Sequence, residues 1–346
     1  MPELILQDVL LTGVILLIFA LFHHVLPRMR SESYEMPAPV SLTTPAPADS
    51  AAPESAAPTE PTAPEDPETT PEPTPEPTPD PMDWRTKFAD HFTDEVVVTD
   101  HSYTSPNIAI NIEKFVTDDP SLNTYFVADI YVAQLECFQT YWAMGRLVYY
   151  GEESAESLAR SSGSLLTING DYADSQRSGF LVRNGELYYD EQTTNDICVL
   201  YSDGTIETYG ADEYKVEDVL ARGPWQVWKF GPKLLDADGQ PCTSYNTTGP
   251  IRDVNPRTGI GYYEPGHYCF VVVDGRQGGY SYGMRIDRFA QVFAELGCTA
   301  AYNLDGGQSS IMTFQQRIYN HPYLGGRESG DVLLIREPDS NANEEG

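Results

Sequence analysis

Between residues 37 and 81 the chain is almost only Pro, Ala, Thr and Glu, ending in PEPTPEPTPDP, so no packed core can lie there. Such a segment cannot bury enough apolar surface to offset the entropy of ordering. Its prolines and like charges favour an extended polyproline II path, which at about 3.1 Å per residue reaches on the order of 100 Å. Everything that folds must lie on one side of this spacer or the other.

On its N-terminal side, residues 4–26 are almost wholly apolar, and about 20 such residues cross a bilayer core. The missing basic n-region and the missing small-x-small site favour an uncleaved anchor over a removed signal peptide. Arg28 and Arg30 follow the span and no Lys or Arg precedes it, which by the positive-inside rule would keep the remainder cytoplasmic. That rule weakens for long translocated domains, and the stalk-like spacer favours a single-pass protein with its folded part outside the cytoplasm. The expected organisation is a transmembrane anchor over residues 1–30, a disordered Pro/Thr/Glu-rich linker over 31–82, one folded domain over 83–337 and a disordered acidic tail over 338–346.

The formal net charge of −31 comes only partly from the linker, and so acidic a surface argues against nucleic acid as a partner. The five cysteines, Cys137, Cys198, Cys242, Cys269 and Cys298, show no zinc-like spacing. They read as small buried hydrophobes, with one disulfide left open.

Residues 107–116 and 123–134 alternate apolar and polar side chains as a half-buried antiparallel pair requires. Asn184-Gly185 suits a type I′ turn between GFLVR and ELYYD, and Asp203-Gly204 marks a further hairpin. Residues 284–296 carry Ile286, Phe289, Phe293 and Leu296 on one face with Gly297 just beyond, which predicts a helix with a glycine cap. It lies between YCFVVVD, a run typical of a strand buried on both faces, and the strand-like AAYNL. The fold class expected is α+β, a single globular domain of mixed, mainly antiparallel sheet with a few helices and one βαβ-like unit.

Four segments set polar residues and glycines at the ends of apolar runs: Ile168 to Tyr172, Asn255 to Gly261, Asp274-Gly275-Arg276, and Asn303 to Ser310. Each alone reads as an ordinary turn, but all four lie where strands display binding groups. The last joins a carboxylate, backbone N–H groups beside glycines, and two hydroxyls within a few residues.

INGDY, a GFxxRNGxLY hairpin, FGPKL, NPRTGIG, VVVDGR and AYNLDGGQSSIM occur here in an order and rough spacing that resembles the phosphodiester glycosidase family. The resemblance covers residues 128–335 and is most specific at NLDGG. It implies hydrolysis of sugar 1-phosphodiesters, such as those of N-acetylglucosamine, and in bacteria an association with exopolysaccharide or envelope material. Gln308 stands where the family usually has a third glycine or similar small residue, a place where it could narrow a pocket or present an amide to the sugar.

The chemistry narrows the residue types. A phosphate monoester leaving from C1 has a second pKa near 6 and needs no strong general acid. It needs positive charge, which Arg257, Arg276 and Arg327 can supply bidentately. An oxocarbenium-like transition state needs a carboxylate, for which Asp305 ranks above Asp274 and Asp171. Asn169, Gly170, Thr258, Asn303, Gly306, Gly307, Ser309 and Ser310 complete the expected substrate- and phosphate-binding set. The serines lack a nucleophile elbow and suit phosphate hydrogen bonds, and His267 and His321 read as structural. No cofactor is required, and the Asp-rich loops leave a divalent cation, Ca²⁺ or Mg²⁺, open. A non-catalytic glycan-binding module using Trp225, Trp228 and the 22 tyrosines is the competing class. A plain carboxylate-pair glycosidase ranks last, because no Glu lies in the motifs.

Overall fold

A computed structural model describes residues 39–42 and 83–339. The expected anchor, most of the linker and most of the acidic tail lie outside the described residues. Among the described residues no helix is long and apolar enough to cross a membrane.

The alternating runs form ten-residue strands, Ile108–Thr117 and Asn123–Val132, paired antiparallel along their whole length. They belong to a seven-stranded sheet in the order Ala300–Asn303, Arg257–Glu264, His267–Val273, Asn123–Val132, Ile108–Thr117, Ser102–Thr104 and Val97–Val98. A six-stranded sheet runs Val40–Ser41, Glu186–Asp190, Phe180–Arg183, Pro224–Trp228, Ile197–Tyr201 and Ile206–Tyr209. A five-stranded sheet runs Arg317–Ile318, Met312–Phe314, Leu166–Asn169, Asp331–Ile335 and Phe138–Trp142. The ladders between these strands are antiparallel.

One face of the seven-stranded sheet packs Phe126, Ile130, Ile260, Phe270 and Val272 against Leu200 and Trp228 of the six-stranded sheet and Ile168, Met312 and Leu333 of the five-stranded one. Its other face packs Val127, Val271 and Val273 under Phe289, Ala290 and Phe293 of the helix Ile286–Glu295. Asn123–Val132 is therefore buried on both faces, where its alternation predicts only one. Shorter helices cover the outer faces of the other sheets: Val219 of Val216–Ala221 meets Val199 and Val227, and Leu158 of Ala155–Ser162 meets Val332.

The predicted helix ends as its glycine requires. Gly297 takes φ +82, its N–H donates to Ala294 O, and Cys298 N–H reaches back to Phe293 O, the Schellman pattern. The expected βαβ unit is present in altered form. His267–Val273 and Ala300–Asn303 run parallel but are not neighbours, because Arg257–Glu264 lies between them and pairs antiparallel with both. The Asn184-Gly185 turn has φ of +52 and +74, as type I′ demands. All five cysteines are free, with the sulfurs of Cys269 and Cys298 3.7 Å apart.

Residues 39–42 correct the linker expectation locally. Val40–Ser41 adds an edge strand to Leu187 and Glu186, because PVSL departs from the Pro/Thr/Glu pattern and Leu42 packs against a core cluster.

Between the six- and five-stranded sheets lies a buried ionic cluster. Arg183 Nη2 contacts Asp171 Oδ1 at 2.5 Å and Asp331 Oδ2 at 3.2 Å, with all three side chains at most 1% exposed. Asp171 Oδ2 also accepts from the Lys229 backbone N–H. Asp174 is buried nearby, and neither of its carboxyl oxygens has a hydrogen-bond partner in another described residue. Burial, then the neighbouring Asp331, pushes the Asp174 carboxyl up to about 7. Burial likewise raises Asp331 to about 7 against the opposing pull of Arg183, and lowers Lys229 to about 8. Three carboxylates thus share one firm cation and one weakened one, so the cluster holds a proton.

Carboxyls raised in the fold add stability that is fully present below their ordinary value of 3.8 and is lost as pH rises through about 7. Denaturant titrations should therefore show the chain more stable at about pH 5 than at about pH 8, by roughly 1–3 kcal/mol. Asp174→Asn should shrink that difference; an unchanged difference would remove Asp174 from the proton-holding pair.

Candidate active site

The third-sheet strand Leu166–Asn169 ends in a buried amide that joins three segments. Asn169 Nδ2 donates to Asp305 O at 2.8 Å, while its Oδ1 accepts from Thr258 Oγ1 at 2.7 Å and from Ile311 N–H at 3.4 Å. This holds the loop after Ala300–Asn303 against the end of the neighbouring sheet. The loop then passes close to backbone: a Cβ at Gly306 would sit 2.8 Å from Pro256 O, and Gly307, at φ +71, leaves its space to the Arg276 guanidinium. Gly170 is equally constrained, since a Cβ there would meet Asp331 Oδ1 at 1.9 Å.

These constraints leave a narrow cleft lined by Asn169, Gly170, Tyr172, Asp305, Arg327, Glu328, Ser329, Gly330 and Asp331. Arg327 spans it. Its Nη2 donates to Asp305 Oδ2 at 2.6 Å, its Nε to Ser309 Oγ at 2.5 Å, and its Cζ lies 5.2 Å from the Tyr172 ring centroid. With the Arg327 side chain 41% exposed and that of Asp305 16% exposed, the pair is open to exchange with a ligand. On the far side of Gly307, Arg276 Nη2 donates to Asn255 Oδ1 at 2.8 Å, and Cζ lies 5.6 Å from the Tyr323 ring. The Asp-Gly-Gly loop is thus flanked by two guanidinium groups, as an anion site requires.

The other expected residues take different places. Asp274 is buried and fully engaged, accepting from Asn320 Nδ2 at 2.8 Å, Tyr280 OH at 2.8 Å and His321 N–H at 3.1 Å. Burial still holds its carboxyl above the usual range. Asp171 serves the Arg183 cluster. Arg257 is buried and spends its donors on Met284 O and Asp253 O, and burial lowers it to about 10. It braces the start of its strand and does not reach the cleft as a phosphate ligand. Thr258 serves Asn169, and Asn303 Nδ2 donates to Gly231 O. Ser310 is buried, its Oγ without a partner among the described residues. Gln308 Nε2 donates to Gly326 O at 2.9 Å, tying the two cleft loops together. His267 pairs with Asp129 at 2.7 Å on a hairpin.

One carboxyl reaches the site from outside the motifs. Glu152 is half-buried; burial raises its pKa, Arg327 opposes the rise, and Glu328 and Asp305 add to it. It arrives there because Glu153 bridges to Ser329 while Ser154 caps the next helix through Ser157 N–H. Nothing in GEES marks this position, since the contact is made by a segment more than 150 residues away. Among the described residues no three His, Cys, Asp or Glu side chains are grouped to hold a metal ion.

The fold is similar to that of the catalytic domain of zebrafish N-acetylglucosamine-1-phosphodiester alpha-N-acetylglucosaminidase, auto-inhibited by its pro-peptide. The TM-score is 0.57 at 20% identity, covering 70% of this chain and 88% of that one. In sequence, the chain is 30% identical over 206 residues to the SPbeta prophage-derived uncharacterized protein YomE of Bacillus subtilis strain 168. That stretch is 56% of this chain but 32% of the relative, so the chain spans about a third of the length of the curated protein it matches. The family model for phosphodiester glycosidases matches residues 162–336. That stretch, about half of the sequence, supplies every residue that lines the cleft, and the chain belongs to the phosphodiester glycosidase family.

Proposed function

We propose that the chain is a membrane-tethered, extracytoplasmic hydrolase that cleaves the C1–O bond of sugar 1-phosphodiesters, of the N-acetylglucosamine type, in envelope or exopolysaccharide material. The single observation that carries this reading is the Asp305–Arg327 pair, with Arg327 also on Ser309, at the mouth of a cleft inside the family's matched region. The domain limits and the anchor are part of the same proposal and follow from the sequence.

In this reading a phosphodiester takes the Arg327 fork, and Asp305 is released to face the anomeric carbon. The C1–O bond breaks with its electron pair going to the phosphate monoester, and Asp305 stabilises the oxocarbenium-like centre. A water oxygen bonds C1, and its proton passes to a carboxylate, for which Glu152 is the second group at hand. Arg276 adds positive charge across Gly307.

The glycan-binding alternative is weakened because Trp228 is fully buried and Trp225 donates its indole N–H to Phe138 O. One observation favours the plain glycosidase: Glu152, whose segment bridges to the cleft residue Ser329 and whose carboxyl burial raises, brings a second carboxyl toward the cleft, as general-acid chemistry needs.

The full chain incubated with an N-acetylglucosamine 1-phosphodiester should release free sugar, with a parallel EDTA arm reporting any need for a divalent cation. Asp305→Asn should lower kcat by at least about 100-fold without loss of fold. Arg327→Ala should lower kcat/KM by about 100-fold, and Arg327→Lys should recover only part of it because a point charge cannot replace the fork. Arg257→Ala should instead destabilise the fold by about 1–3 kcal/mol by leaving buried carbonyls unpaired. Hydrolysis of an aryl glycoside with no turnover of any diester would favour the plain glycosidase.

A further inference from the structure

Two tyrosines, Tyr149 and Tyr150, lie beside the segment that carries the cleft residue Tyr172. Tyr172 lines the cleft beside Arg327. The Tyr150 backbone N–H donates to Asp174 O at 3.2 Å, just past Tyr172 in the chain. The Tyr149 ring stands 4.2 Å from the Tyr150 ring, and the Arg177 guanidinium packs 3.8 Å from the Tyr149 centroid. Tyr150 is 57% exposed.

Two of these rings are held on unfavourable backbone. Tyr150 and Tyr172 have φ of +55 and +61, the left-handed region that a bulky side chain enters only at a cost. Glycine would make the same turns without strain, and the exposed Tyr150 ring gives the fold little in return. Strained residues gather at ligand clamps and active sites, and here two of them carry aromatic rings beside a cleft. The occupant is also constrained. Glu328 lines the cleft, and Glu152 belongs to the segment that bridges to its Ser329, so a further anionic group is disfavoured, whereas the C–H face of a neutral sugar ring stacks on tyrosine while its hydroxyls stay wet.

We propose that Tyr172, Tyr150 and Tyr149 form a saccharide-binding track, so that the preferred substrate is a chain extending at least two sugar rings beyond the scissile phosphodiester. This rests on the phosphodiester reading above. Tyr172 lines the narrow cleft while Tyr150 and Tyr149 do not, which suits internal linkages of a polymer better than a lone sugar diester.

The test uses the full chain and two substrates: an N-acetylglucosamine 1-phosphodiester of one hexose, and the same diester of a neutral tetrasaccharide. The parent should prefer the longer substrate by about tenfold in kcat/KM, and Tyr150→Gly should abolish most of that preference. Because glycine relieves the left-handed strain, the melting temperature of Tyr150→Gly should hold or rise, whereas a merely structural tyrosine would lower it. Equal efficiency on both substrates, unaltered by Tyr150→Gly, would overturn the track, as would a preference for a nucleotide in place of the tetrasaccharide. Isothermal titration with the phosphate-free tetrasaccharide separates the two readings. If the parent cleaves neither diester yet binds the tetrasaccharide about tenfold more tightly than Tyr150→Gly, the track stands and the catalytic reading falls. If the parent cleaves neither diester and binds no tetrasaccharide, both fall.

Discussion

The buried amide of Asn169 is the contact on which the cleft depends. One side chain at the end of one sheet donates from its amide nitrogen to the Asp305 and Gly170 carbonyls and accepts at its oxygen from Thr258 and Ile311. A buried amide must be satisfied, so this group can sit only where three segments converge. The position of the Asp305 carboxylate is then decided by backbone, and Arg327 needs only to reach it. The glycines follow from the same constraint: Gly170 and Gly306 face an oxygen at distances no Cβ tolerates, and Gly307 cedes its volume to Arg276.

Behind the cleft floor, the Arg183 cluster joins two sheets by charge where hydrophobic contact would be the usual solution. Such a cluster is costly to desolvate, and its merit is geometric, because it fixes Asp331 against Gly170. The stability of the floor is thereby linked to pH, and the cleft that it supports is in turn open enough for the Asp305–Arg327 pair to trade partners.

Much of the fold was legible in the sequence because period and turn chemistry are local. The long antiparallel pair, the Asn184-Gly185 turn and the helix capped by Gly297 lie where residue pattern places them. The interposed strand Arg257–Glu264 was not legible, since nothing local says which strand fills the gap between two parallel neighbours. In the site, the loop 303–310 and Arg327 were visible as motifs. Arg257 and Asp274 engage neighbouring backbone and side chains, which the sequence did not reveal because a strand-end Arg or Asp has the same signature whether it faces a ligand or braces the fold. Glu152 had no signature, since only the bridge between Glu153 and Ser329 brings it to the cleft.

The most direct test of the account is a crystal structure of the chain with a non-hydrolysable sugar 1-phosphonate diester bound. The account predicts the phosphorus within about 4 Å of the Arg327 guanidinium, Asp305 released from that arginine, and the anomeric carbon facing the Asp305 carboxylate. A ligand seated elsewhere, with the Asp305–Arg327 pair intact, would contradict it.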